Sequence, residues 1–358
     1  MTEHEAYVAF NLTEQVGSVK VAELVARHGS VAAAWEAWPK KISRTGGEVD
    51  WEGELKTAGK FGVTVLTPAD PDYPEMLLNA PGRPLTLYVK GDVKALAKNA
   101  IALIGTRRAT PYGLDQAYKL ARDLAEDGWA IVSGLALGID AESHKGALAA
   151  KGVTVGVIGS GLDRFYPEEN RELAREIVKC GGAVVSEFPF GRAPDAQTFP
   201  QRNHVVAALA KGVVAVEAPV KSGTLITTGI AADLGRTVMA VPGRVDSRAS
   251  FGCLGLIRDG ARLVRSARDV EEEMGELFPR SAAPTRRRQA EPDAPAAGFT
   301  LEESMVMKHV DVEGVSIDEL IRKTGLPAGK VNALCMTLRM KERVRFFPGN
   351  RVALPRSE

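Results

Sequence analysis

At 358 residues the chain is too long for one ordinary domain, and two or three are expected. Its 45% hydrophobic and 25% charged residues exclude a disordered or fibrous polymer, and no apolar run approaches the ~18 residues of a membrane-spanning helix. Lys and Arg total 46 against 45 Asp and Glu, a formal charge of +1, so a nucleic-acid partner has to be met by local rather than global positive potential.

The first residues, MTEHEAYVAF, are acidic and lack the basic-then-apolar plan of a signal peptide, so a cytoplasmic protein without membrane contact is expected. Cys180, Cys253 and Cys335 lie far apart without paired spacing. They indicate neither a disulfide framework nor a zinc site, and no metal or cofactor is expected.

Residues 1–62 read as a small helical domain: AYVAFNL, VKVAELVARHG and SVAAAWEAW have helical apolar spacing broken by Gly17 and Gly29, and Trp51–Lys60 adds another helix. The run FGVTVLTPADPDYPEMLLNAPGRPLTLYVKGD is dense in proline and turn residues. It reads as a connector with strands at Val63–Leu66 and Leu85–Val89. From Ala100 the pattern is regular, with apolar strands at Ile101–Ile104, Ala130–Val132, Val153–Ile158, Ala183–Val185, Val213–Val216 and Thr237–Val241, most of them separated by amphipathic helices. Within 63–278 this alternation predicts an α/β domain, a largely parallel sheet with helices on both faces. Ligands of such sheets bind outside the carboxyl ends of the strands.

The polar and glycine-rich residues gather at those ends. The stretch Ile131–Ala149, IVSGLALGIDAESHKGALA, reads as strand, tight loop and helix start, with Asp140 as N-cap and the amides around Gly138 and Ile139 free for a ligand. Unsatisfied N–H groups at a helix start suit phosphate. Around it stand Gly105, Thr106, Arg107 and Arg108; Ser133 and Gly134; Ser160 and Gly161; Arg202, Asn203 and His204; and Ser222, Gly223 and Thr224. Singly, each glycine loop is the turn any α/β protein needs. Several on adjacent strand ends, two bearing arginine, describe an anion-binding rim of amides, hydroxyls and guanidinium groups. Phe165, Tyr166, Phe188, Phe190 and Phe199 either stack on bases or anchor these loops to the core. Asp140 and His144 read as helix cap and helix-face residue, and Glu187 and Glu217 as partners holding the arginines. No nucleophile–base pair is evident, and no catalytic residue is assigned.

Residues 279–298 are rich in Pro, Ala and charge without periodicity and read as a flexible linker, its Arg286–Arg288 run either solvated or touching phosphate. In 299–358 a helix, a second one capped by Ser316, a turn at Thr324–Pro327, a third helix at Ala328–Met340, and a hairpin of Val344–Phe347 and Arg351–Leu354 about Pro348-Gly349-Asn350 give the plan of a winged helix. Its candidate recognition helix, AGKVNALCMTLRMK, is largely apolar, leaving DNA binding and protein binding both open.

From about Tyr73 to Ala261 the chain resembles the DNA-processing protein A family, DprA/Smf, of natural transformation. The matching pieces, in order, are DYPEML, LYVKGD, IGTRRATPYG, SGLALGIDAESHKGAL, GVIGSGLDRFYP, VVSEFPFG, FPQRNHVVAALAKGVVAVEA, SGTLIT, AVPGRVDS and GLIRDGA. The resemblance implies an extended Rossmann-like parallel sheet, an N-terminal SAM- or helix-hairpin-helix-like module and a C-terminal winged helix. It also implies a non-enzymatic protein that binds single-stranded DNA, protects incoming DNA, forms a homodimer and loads the RecA recombinase. The family's GxR arginine falls on Arg107 and its RNR signature on Arg202-Asn203-His204, where histidine replaces the last arginine. Leu137 stands where many members carry arginine, and Gly17-Ser18-Val19 replaces the GxG hairpin. The rival is an enzyme: the sheet and loops also resemble those of phosphoribohydrolases acting on nucleoside monophosphates. SGTLITTG occupies the place of that family's PGGxGTxxE and lacks the glutamate.

Overall fold

The structure, a computed structural model, describes residues 1–277 apart from 40 and 45, and residues 299–354 apart from 311–314, 342, 348 and 349. The chain divides into two compact units, 1–280 and 281–358. The expected linker at 279–298 lies outside the described residues.

The first unit opens with four helices, α1 (Glu3–Leu12), α2 (Ser18–His28), α3 (Val31–Ala37) and α4 (Trp51–Phe61). Local caps start three of them: Thr2 and Glu5 form a capping box on α1, and the Ser30 and Asp50 side chains accept amides of α3 and α4. Their apolar faces close around Phe10, whose ring meets Trp35 edge-on at 5.1 Å. Gly17, expected in a hairpin-like position, is the N-cap of α2.

The sheet follows: β1 (Thr64–Leu66), α5 (Glu75–Leu78), β2 (Leu87–Gly91), β3 (Ala100–Gly105), α6 (Pro111–Glu126), β4 (Ala130–Ser133), α7 (Ile139–Ala149), β5 (Thr154–Val157), α8 (Arg171–Lys179), β6 (Ala183–Ser186), α9 (Thr198–Leu209), β7 (Gly212–Glu217), α10 (Gly223–Asp233), β8 (Thr237–Ala240), α11 (Phe251–Arg258), β9 (Arg262–Leu263) and α12 (Ala267–Leu277). Its order is β1-β2-β6-β5-β4-β3-β7-β8-β9. Every pair from β6 to β9 is parallel, as the alternating pattern predicts, while β1 and β2 add an antiparallel edge. The presumed connector is therefore part of the sheet. The reason is its period-two burial: Leu87 and Val89 enter the main core, and Tyr88 faces Val8 and Ala58 of the N-terminal helices. Strand β3 shows the same alternation, with Ala102 and Ile104 on one face and Ile101 and Leu103 on the other. From β3 the chain winds outward through β4, β5 and β6, then returns to β7 on the opposite side. The carboxyl end of β3 is thus the switch point at which such sheets open a crevice.

The second unit holds α13 (Leu301–Met307), β10 (Val315–Ser316), α14 (Ile317–Thr324), α15 (Ala328–Met340), β11 (Arg345–Phe347) and β12 (Arg351–Ala353), with sheet order β10-β12-β11. Leu320, Val331, Cys335, Leu338 and Val352 form its core. This is the expected winged helix with one extra short strand, β10. Met336 and Met340 on α15 stay exposed.

Candidate nucleic-acid interface

At the end of β3 the chain turns sharply. The Thr106 amide donates to the Glu217 carbonyl at 2.8 Å, and the Thr106 hydroxyl accepts the Arg108 amide at 3.2 Å, leaving Arg107 and Arg108 exposed. Gly105 lies so close to Ile139 that a Cβ would collide with that side chain. Beside it, the Glu217 carboxylate accepts both the amide and the hydroxyl of Thr110, at 2.8 and 2.7 Å, and so fixes the start of α6.

At the end of β4 the loop folds back on Thr106. Gly138, with φ +80°, is the N-cap of α7, and its position abuts the Thr106 and Arg107 backbone too closely for a Cβ. The Ile139 amide donates to the Thr106 carbonyl at 3.3 Å. Asp140 is therefore not the cap expected from sequence, and the Ile139 amide is not free. The Asp140 carboxylate points inward, accepts the Ala136 amide at 3.4 Å, and flanks Gly134 together with Arg202.

Arg202 enters from the first turns of α9 and is buried, only 6% exposed. One Nη donates to the carbonyls of Gly134 and Val157, and Nε donates to Asn203 Oδ1 at 3.1 Å. Burial pushes the Asp140 carboxyl up, with Arg202 opposing. Burial pushes the Arg202 guanidinium down, Asp140 opposing and Arg107 adding to the shift. Both directions say that desolvation outweighs attraction, as in a buried charge pair that is costly to break rather than strongly stabilising.

Across this floor the Arg107 guanidinium lies 4.9 Å from the Phe199 ring centre. Tyr166, 46% exposed, stands 6.1 Å from Phe199 between ring centres. Arg107, Arg202, Gly134, Ala136, Leu137, Gly159, Tyr166, Pro167 and Phe199 line a niche of about 30 Å³. That is room for a few water-sized groups, such as the oxygens of one phosphate, and far below the roughly 300–1,000 Å³ of sites that enclose whole small molecules.

The family model described as DNA recombination-mediator protein A matches residues 64–275. The chain belongs to that family, DprA/Smf. A second model, the DprA winged helix domain, matches residues 289–350. Protein Smf of Synechocystis is 33% identical over 298 residues, 77% of this chain and 74% of its own length. The X-ray structure of DNA processing protein A from Streptococcus pneumoniae superposes with a TM-score of 0.64 at 32% identity, covering 76% of this chain and 98% of that one. The Helicobacter pylori protein, described for its single-stranded DNA binding mode, gives 0.53 at 30% identity over 60% of this chain and 96% of its own.

In this DprA/Smf member the niche gathers Arg107, Gly134 and Arg202 from the expected rim. Others go elsewhere. Ser133 Oγ is buried and donates to the Leu103 carbonyl at 2.6 Å. Ser160 is wholly buried, and the Gly161 amide donates to the Arg192 carbonyl at 2.8 Å. Ser222, Gly223 and Thr224 start α10 outside the niche, and Ser222 makes no side-chain cap. His204 Nε2 sits 2.8 Å from the Pro81 carbonyl, away from the niche, and burial pushes its pKa down, so it brings no charge there near neutral pH. Phe188 and Phe190 are anchors, while Phe165 lies under Arg171. Neither expected glutamate holds Arg107 or Arg202: Glu217 grips Thr110, and Glu187 faces Arg44, its carboxyl pushed up to about 7 by burial with Arg44 opposing. Gly159, read from sequence with Gly161 as a point of close backbone approach to a ligand, does line the niche, while sequence reasoning missed Ala136 and Pro167, because which residue of a loop points at a cavity is set by loop dihedrals that no periodicity encodes.

Beneath the niche His144, expected on a helix face, is fully buried. The Thr154 hydroxyl donates to the Ile131 carbonyl at 2.7 Å and so accepts from His144 Nδ1–H, also at 2.7 Å, leaving Nε2 unprotonated and without a partner. Burial, reinforced by Arg202, holds its pKa at about 3. The folded value lies below the unfolded one, so this contribution to stability is present above pH ~6.5 and is lost as pH falls towards the folded value. His144→Gln should flatten the acid-side loss in urea midpoints between pH 6 and 4; an unchanged slope would show that another group carries it.

Proposed function

We propose that this chain is a single-stranded DNA-binding protein that grips DNA through its sugar–phosphate backbone without altering it. In the same reading it protects incoming DNA, loads the RecA recombinase in natural transformation, works as a cytoplasmic homodimer, and needs no cofactor. The observation that carries the proposal is the meeting of Arg107 and Arg202 in one niche beside the Phe199 and Tyr166 rings. Guanidinium donors beside ring faces suit a strand that presents phosphates and unpaired bases together. The description of the Helicobacter pylori relative as a single-stranded DNA binder supports it. The niche is too small to enclose a nucleotide, and its lining residues include no carboxylate, which supports binding over N-glycosidic hydrolysis.

Gel shifts with mixed-sequence single- and double-stranded oligonucleotides at several salt concentrations test the reading. Tighter binding to single strands, weakening linearly in log–log plots against salt, is expected. Equal affinity for duplex sinks it, and release of free base from nucleoside monophosphates would replace it with the enzyme. Sedimentation at micromolar concentration reads the dimer, and the rate of RecA assembly on pre-coated single strands reads loading; a monomer, or an unchanged rate, removes that part.

A further inference from the structure

The segment from Glu187 to Gln197, between β6 and α9, is fastened on two sides. On the niche side, the Arg192 carbonyl accepts the Gly161 amide at 2.8 Å, and Asp163 Oδ1 accepts the Gly191 amide at 2.8 Å. Asp195 Oδ1 accepts the Gln197 and Thr198 amides at 2.8 and 2.9 Å, setting the first turn of α9 immediately before Phe199. On the other side, Glu54 of α4 accepts the Phe190 amide at 2.9 Å. The Phe190 ring stacks on Phe61 of α4 at 5.3 Å and meets Tyr88 edge-on at 5.6 Å. Arg44, anchored to the Asn11 and Val16 carbonyls at 3.0 and 3.3 Å, supplies the charge nearest Glu187.

We infer that the N-terminal helices brace the DNA niche: Glu54 and Phe61 are positioning residues for single-stranded DNA binding, acting through Phe190 and the 187–197 segment on Phe199 and the loop at Gly159. The inference rests on the function proposed above. Glu54 offers the acceptor for the Phe190 amide and Phe61 the flat face on which its ring lies, beside the edge contact from Tyr88, and the ring under Arg107 sits on the helix that this segment leads into. The helical module then contributes to DNA binding without touching DNA. A coupling of this kind transmits through packed side chains and shared hydrogen bonds.

The test uses the full chain, comparing wild type with Glu54→Ala and Phe61→Ala, and with Glu54→Gln and Phe61→Tyr, which keep the acceptor and the ring. Affinity for a labelled single-stranded oligonucleotide and amide exchange at Gly161 and Thr198 are measured below the unfolding midpoint of each variant. The alanine variants should bind about tenfold more weakly, with faster exchange at both amides, and the conservative variants should return both readouts to wild type. Alanine variants that bind like wild type, or bind weakly with unchanged exchange at Gly161 and Thr198, overturn the inference. If an alanine variant unfolds, Phe190→Leu removes the stack from the loop side and is held to the same two readouts. Failure of the wild type itself to bind single strands would sink the proposed function, while the exchange measurement would still decide whether the brace exists.

Discussion

An Asp140→Ala variant is expected to lose about 3 kcal/mol of unfolding free energy, the scale on which breaking a buried charge arrangement acts. The carboxylate is buried beside Arg202, and its removal leaves a buried guanidinium with the Gly134 and Val157 carbonyls and Asn203 as its hydrogen-bond partners. It also leaves the Ala136 amide without its acceptor. Asp140→Asn keeps an acceptor but not the charge, and an intermediate loss is expected. Because burial shifts both partners against their charged forms, replacing the pair together, Asp140→Leu with Arg202→Met, should cost less than the sum of the single changes. Denaturant melts of wild type, Asp140→Ala, Asp140→Asn, Asp140→Leu, Arg202→Met and the double variant check this. A single Ala variant within 1 kcal/mol of wild type would show that the carbonyl cage alone compensates Arg202.

Arg107→Ala should leave stability within about 0.5 kcal/mol of wild type, because the residue is exposed, and should weaken single-stranded DNA binding about tenfold at moderate salt. The loss should be alike for all sequences, and the slope of log affinity against log salt should shrink by about 0.7, one phosphate contact of a single strand. Arg107→Lys keeps the charge but not the planar stack on Phe199, so it should recover the slope and only part of the affinity. Arg202 makes a poorer probe than it seemed from sequence: its alanine variant confounds lost binding with an unpaired Asp140. Unchanged affinity in Arg107→Ala would place the DNA elsewhere on the molecule.

Much of this was legible in the sequence, and the rest was hidden for definable reasons. Alternating apolar strands and amphipathic helices fixed a parallel sheet with helices on both faces, because periods of 2 and 3.6 are written directly in side-chain order. The order of these motifs identified the family, and the glycines at 105, 134 and 138 marked the loops at the strand ends, where the structure then leaves no room for a Cβ. What only tertiary structure decided was direction and partnership. Whether Asp140 caps its own helix or turns inward to Arg202, whether His204 meets phosphate or the Pro81 carbonyl, and whether Phe190 stacks on a base or on Phe61 depends on residues 62 to 129 apart in the chain or on the dihedrals of one loop. Local sequence sets the conformations a segment prefers. Desolvation and packing against distant residues then choose which polar group is paired and which is left facing the groove.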